Sequence, residues 1–280
     1  MINVLSRTPM DLSAYFPNEG LVRLNSVADS CTDSSCEHVD CTAASRVCLV
    51  PSIEGVATAS LRELAEQLSV PVFCLQCPAT VSVDSIESLA QYYVQIIRKS
   101  WSEQPFWLVG HAFGASVAKE MTGMLNLQTQ LVLLDDYMKP GSFTTNPLEY
   151  EVALLCSSAE QIKEIDQEEL KVELYRADGW ESRLDLLLQR APPASKDLLS
   201  VVCCSLRDKF IAADRYQNDV VVENVTQIKM DNSKKEVDLD KKFANERGVT
   251  AIKGEGKSVL GSGKNCQKTA EIISGILTSV

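Results

Sequence analysis

The chain of 280 residues sets 27 lysines and arginines against 38 aspartates and glutamates, a formal charge of −11. That field repels nucleic acid and anionic membranes, so unaided binding to either is excluded. An apolar fraction of 45% with 23% charged residues is that of an ordinary globular protein, long enough for one large core with a smaller cap. No run approaches the about 18 uninterrupted apolar residues of a membrane span.

The opening stretch, MINVLSRTPMDLSAYFPNEG, lacks the basic start and apolar run of a secretory signal, which predicts a cytoplasmic chain whose ten cysteines stay reduced. Residues 1–45 read as an irregular, polar lead-in. In it Cys31, Cys36 and Cys41 surround His38, but their spacing is not the C-x₂-C of a zinc knuckle, and a loop with free thiols is the favoured reading. No metal and no cofactor is expected.

From residue 46 short apolar strands alternate with helical stretches, which predicts an α/β fold, a mostly parallel central sheet with flanking helices. RVCLVPS is a strand, and ASLRELAEQL a helix with Leu61, Leu64, Ala65 and Leu68 on one face. VPVFCLQC is the next strand; its Cys74 and Cys77 form a C-x-x-C better explained by burial than by redox chemistry. SIESLAQYYVQIIRKSW follows as a helix capped by Asp84 or Ser85. A strand FWLV, a helix GASVAKEMTGMLN and a strand TQLVLLDD come next.

Residues 147–217 then show helical runs only, such as PLEYEVALLC, QEELKVELYRA and SKDLLSVVCCSLRDKFIAADRY, broken at Gly179 and Pro192-Pro193. This segment reads as a helical lid subdomain inserted in a core formed by residues 46–146 and 218–280. Two strands, ENVTQIKM and GVTAIKG, flank the charged DNSKKEVDLDKKFANER, and QKTAEIISGILTSV closes the chain as a helix. Asn224 opens a glycosylation-like triplet, discounted because it falls in a strand.

The most informative stretch is FWLVGHAFGAS, residues 106–116. An apolar strand runs through Gly110-His111-Ala112-Phe113-Gly114 into a helix, the setting of the G-x-S-x-G nucleophile elbow of α/β-hydrolases, with alanine where the serine stands.

Taken with PNEGLVRLNSV, LVPSIEG, LAEQLSVPVFCLQC, DSIESLAQYYVQIIR, LVLLDD, KFIAADRY and LGSG, in that order along nearly the whole chain, the elbow resembles the thioesterase domain of animal fatty acid synthase. The resemblance implies an α/β-hydrolase fold and release of a long acyl chain from its carrier. It places the nucleophile at Ala112, the orienting acid at Asp135, and the histidine of a G-D-H motif at Gly256, in Gly254-Glu255-Gly256. Oxyanion-hole N–H groups would come from near Ile53 and from Phe113.

Two of three triad positions thus lack their functional group, and the chain has only two histidines, His38 and His111. His111 precedes the nucleophile position and is expected to point away from its side of the turn. Ser116, one helical turn beyond Ala112, is displaced by about 5–6 Å and lies within the helix rather than on the turn. Asp135 and its neighbour Asp136 remain, with a hydrogen-bonded carboxylate at a strand end as the plainer reading of Asp135. Loss of a triad serine or histidine costs on the order of 10⁶ in turnover. The expectation is therefore a non-catalytic relative that keeps a groove for a long hydrophobic ligand (a fatty acid, another lipid or a carotenoid-like polyene) near Ile53, Glu54, Ala112 and Phe113. Residual acyl-thioester hydrolysis and a regulatory interaction domain, homo- or hetero-oligomeric, stand as alternatives. So does deliberate inactivation by substitution, although the changes around GEGKSVL favour drift.

Overall fold

The computed structural model describes residues 12–27, 46–101, 106–125, 131–135, 145–160, 162, 165–217, 225–230, 248–252, 258–260 and 263–278. Cys31, Cys36, His38, Cys41, Asp136, Asn224, the charged segment 231–247 and Gly254-Glu255-Gly256 lie outside these residues.

The runs RVCLV, VFCL and LVLL are apolar at successive positions because both faces of their strands are covered, as parallel sheets require. They form β2 (Arg46–Val50), β3 (Val72–Leu75) and β5 (Leu131–Leu134), with β4 (Phe106–His111), β6 (Val225–Met230) and β7 (Gly248–Ile252) completing the parallel set. A short β1 (Leu21–Arg23) adds an antiparallel edge, giving seven strands among the described residues in the order β1-β3-β2-β4-β5-β6-β7. The lead-in is accordingly not irregular throughout. Three residues are too few for alternation to announce a strand; pairing with β3, Val22 opposite Cys74, makes one.

Helices α1 (Ala59–Glu66), α2 (Ile86–Trp101), α3 (Phe113–Leu125) and α8 (Gly263–Thr278) flank the sheet. Side chains of β2 and β4 alternate between two cores. Cys48, Val50 and Leu108 join α2 and α3, whereas Val47, Leu49, Trp107 and Val109 join α1 and α8. Leu61, Leu64 and Ala65 form the buried stripe of α1, and Thr58 caps it by accepting from the Leu61 N–H. For α2 the cap is Ser85: its Oγ accepts from the Ser88 N–H at 3.1 Å while Ser88 Oγ accepts from the Ser85 N–H at 3.1 Å.

Between β5 and β6 the described residues form four α-helices, α4 (Pro147–Ala159), α5 (Gln167–Arg176), α6 (Gly179–Arg190) and α7 (Lys196–Arg215). A buried charge cluster braces them. Glu151 of α4 accepts from Arg183 of α6 at 2.7 Å and from Arg207 of α7 at 3.2 Å. Arg183 also donates to the carbonyls of Leu174 and Ala177, and the Arg207 guanidinium stacks 4.9 Å from the Trp180 ring centre. With both cations engaged by one carboxylate and further acceptors, the cluster meets the condition under which buried charge is tolerated.

No helix among the described residues is long and apolar enough to cross a membrane.

Candidate functional site

Strand β4 ends at His111 and α3 begins at Phe113, so Ala112 alone makes the turn from strand to helix. Its φ is +49°, in the left-handed region that costs an L-residue about 1–2 kcal/mol. The turn is pinned on both sides. The Ala112 N–H donates to the Leu134 carbonyl of β5 at 2.9 Å, and the Ala115 N–H donates to the Ala112 carbonyl at 2.9 Å.

The two elbow glycines are dictated by proximity. A Cβ on Gly110 would stand 2.6 Å from the Gly114 carbonyl oxygen and 2.7 Å from Ala115 Cα, so α3 lies directly on its own strand. A Cβ on Gly114 would stand 2.2 Å from the Pro51 carbonyl oxygen and 2.4 Å from that of Val50. The first turn of α3 therefore abuts the loop that leaves β2.

That loop carries Ile53 and Glu54, both buried, and turns at Gly55 with φ +72°, whose N–H donates to the Ser52 carbonyl at 2.9 Å. Phe113 opens α3, so its N–H is one of the helix's first donors, without an intrahelical acceptor. No acceptor among the described residues takes the Ile53 N–H. The chain passes from β2 to β3 on one side and to β4 on the other, so this loop and the elbow border the topological switch point of the sheet. Crevices at the carboxyl ends of strands at such a point are where open α/β sheets bind ligands.

Asp135 follows β5 with φ +63°. Its carboxylate accepts from the Val259 N–H at 2.9 Å and from Ser258 Oγ at 2.5 Å, tying the strand end to the segment before α8. The sequence left Asp135 without an imidazole; the structure supplies one. His111 Nε2 stands 3.5 Å from Asp135 Oδ2, both side chains largely covered. Register explains the meeting: β4 and β5 are parallel neighbours with His111 opposite Leu134, one residue from Asp135. Alternation from Trp107 and Val109 sets His111 on the α1/α8 face of the sheet, opposite the face covered by α3.

Ser116 is buried inside α3, one turn past Ala112. Gly256 lies outside the described residues. Cys74 and Cys77 are buried free thiols, and burial pushes both above the ordinary thiol range. Their C-x-x-C is a packing feature of the β3 end.

The structure therefore sets the first turn of α3, with Ala112 at the elbow and Phe113 at the helix start, against the loop that leads to Ile53 and Glu54, while His111, Asp135 and Ser258 form a linked group at the ends of β4 and β5. It offers backbone donors and a strained turn. At the turn itself stands a methyl group, which neither attacks a carbonyl nor moves a proton.

A family model described as "Thioesterase domain" matches residues 45–184, half of the chain and all of the elbow region. Solved structures with the same fold include the four-domain nonribosomal peptide synthetase AB3403 bound to AMP and glycine, at 16% identity and a TM-score of 0.67. The alignment covers 92% of this chain but only 20% of that one, so the chain spans about a fifth of that synthetase. The Vlm2 thioesterase domain carrying 2,3-diaminopropionic acid and a dodecadepsipeptide aligns over 91% of this chain and 97% of its own, at 16% identity and a TM-score of 0.58. The type II thioesterase YbtT of a yersiniabactin pathway aligns over 92% and 97%, at 15% identity and 0.53.

Proposed function

The chain belongs to the thioesterase-domain family, and from that premise we propose that it is a non-catalytic member that binds a long hydrophobic ligand in the former acyl groove. Within the family it is similar to the thioesterase domain of animal fatty acid synthase, and the helices α4–α7 act as the lid over residues 46–146 and 218–280. The observation that carries the reading is the elbow. Ala112 keeps a left-handed φ of +49° between two glycines that tolerate no Cβ, although it has no hydroxyl to present. A turn that costs energy and attacks nothing is explained by what it still shapes, the crevice facing Ile53 and Phe113.

The ligand is a fatty acid, another lipid or a carotenoid-like polyene. Enclosing ten methylenes contributes about 8 kcal/mol before the entropy of binding is subtracted. With alanine at the turn and glycine at the position of the general base, the bound molecule is retained rather than cleaved.

The test is hydrolysis of long-chain acyl-CoA by the wild type and by Ala112→Ser combined with Gly256→His. A flat wild-type trace with turnover regained in the double variant supports the reading. Wild-type turnover at enzymatic rates refutes it.

One observation favours a second reading, residual hydrolysis by a water molecule. His111 and Asp135 form an imidazole–carboxylate pair 3.5 Å apart beside the elbow, a pairing of the kind that can accept a proton as a general base. That reading requires slow thioester turnover that disappears in both His111→Ala and Asp135→Asn. Equal traces in all three proteins exclude it.

A further inference from the structure

Leu12–Tyr15 form a single 3₁₀ turn in the lead-in, and the Phe16 N–H closes it by donating to the Ser13 carbonyl at 3.1 Å. From this turn to β1 the segment is fastened to the sheet and to α2. The Ala79 N–H donates to the Tyr15 carbonyl at 2.8 Å, the Gln76 N–H to the Gly20 carbonyl at 2.7 Å, and Gln76 Nε2 to the Glu19 carbonyl at 3.1 Å. A Cβ on Gly20 would stand 2.6 Å from Ile96 Cδ1, so the strap lies directly on α2.

The other side of the turn meets the inserted helices. Among the described residues α4, α5 and α6 pack chiefly on one another and on α7, and it is α7 that meets α2 and the lead-in turn. Tyr15 is the buried residue of that turn, 8% exposed. It stands where three elements join: burial, then the Glu54 carboxylate of the β2 loop and Cys203 of α7, hold its phenol above the ordinary tyrosine range. Less than two turns along the same buried stripe, Lys209 crosses the same junction beside Cys77 and Glu54. A Cβ on Gly55 would stand 2.7 Å from its Nζ.

The carboxyl end of α7 is held differently. The Tyr216 hydroxyl donates to Glu120 of α3 at 2.7 Å, before the chain returns to the sheet as β6. One end of α7 is thus tied by a hydrogen bond and by the chain itself. The amino-terminal half rests on side-chain packing, in part on a ring borne by a segment outside both the insertion and the strands it adjoins.

We propose that the lead-in turn is a catch for the lid: Tyr15, fixed by its backbone to the end of β3, holds the amino-terminal half of α7 against the Glu54 loop, and α4–α7 open as one body about the Tyr216–Glu120 end when α7 leaves the ring. The brace of Glu151, Arg183 and Arg207 keeps the helices together as they move. The inference rests on the reading of α4–α7 as a lid and adds what keeps it shut.

The experiment is native-state hydrogen exchange of the full chain in low urea, read by mass spectrometry, for the wild type and Tyr15→Ala. Each cooperative unit of a protein exchanges with its own opening free energy, so local and global opening are resolved. In the wild type α4–α7 are expected to share one opening that precedes unfolding of β2–β5. Truncating a buried aromatic ring that packs partly on α7 is expected to speed that shared opening by about tenfold or more. Tyr15→Leu, which keeps apolar bulk without the reach of the ring, is the second variant should the alanine protein not fold, and the same helices are expected to respond. An unchanged lid opening, with faster exchange in the strands alone, would make Tyr15 an ordinary core residue and overturn the catch. Exchange of α4–α7 only together with the strands, in every one of these proteins, overturns the lid reading itself.

Discussion

The close approach of α3 to the β2 loop makes Gly114→Ala the sharpest structural test. The added methyl would meet the Pro51 carbonyl oxygen at 2.2 Å and that of Val50 at 2.4 Å, more than an ångström short of an ordinary contact for Pro51. Both obstacles are backbone, so no rotamer change relieves them. Either α3 lifts from β4, where Gly110 is in contact with Gly114 and Ala115, or the loop carrying Ile53 and Glu54 swings outward. Overpacking in a tight core costs about 1–3 kcal/mol, and a clash between two backbone segments belongs at the upper end, about 3 kcal/mol. For a chain of this size that is a fall in melting temperature of about 5 °C. Urea unfolding should show a lower midpoint at unchanged slope, the mark of lost stability rather than altered compactness. Hydrophobic ligand affinity should fall with it, since the displaced loop is one wall of the crevice. A loss below about 1 kcal/mol with ligand affinity intact would show that the loop and the elbow are not in the contact described.

Four further outcomes follow from the same structure. Ala112→Gly relieves a left-handed alanine costing about 1–2 kcal/mol and adds back about 0.5–1 kcal/mol of glycine entropy, so stability should rise by about 0.5–1 kcal/mol in urea titration; a loss would mean that the φ of +49° is not strained. Glu151→Ala strands Arg183 in the interior and should cost about 3–5 kcal/mol, whereas Glu151→Leu with Arg183→Met should recover most of it; equal losses in the two proteins would contradict the account of the brace. Burial raises Cys156 from 9.0 to about 11 and Cys203 and Cys266 to about 12. The stability these neutral thiols contribute is complete below about pH 9 and drains away as the pH climbs toward their folded values, with Lys209 opposing as a single group of opposite shift. Urea midpoints should therefore decline from pH 9 upward, and a flat or rising profile would refute the burial of those thiols. Asp135→Asn keeps the shape but loses charge-assisted bonds from Ser258 and Val259, and should cost about 1–3 kcal/mol; no loss would mean that Asp135 is solvated instead.

The layered fold was legible because its signals are local. Fully covered strands read as unbroken apolar runs, and the helices on them as stripes of period 3.6, as Leu61, Leu64 and Ala65 show. The elbow was legible for the same reason, since its glycines, strand and helix are contiguous. What escaped depends on register and on distant partners. Leu21–Arg23 is a strand only because β3 lies beside it. His111 meets Asp135 only through the alignment of β4 with β5, across an interval of 24 residues. Arg183, Glu151 and Arg207 meet by the packing of three helices that no spacing reveals. Lys209 did leave a trace: a lysine on the apolar side of α7, three residues from Leu206 and four from Ala213, is a charge where the period demands a hydrophobe.

The container itself is tested most directly by native mass spectrometry of the full chain, purified and then incubated with hexadecanoic acid or a C40 polyene, followed by solvent extraction of the complex. The account predicts a one-to-one adduct that returns the ligand chemically unchanged. Bare polypeptide at every ligand concentration, or recovery of a cleaved product from a thioester probe, would contradict it.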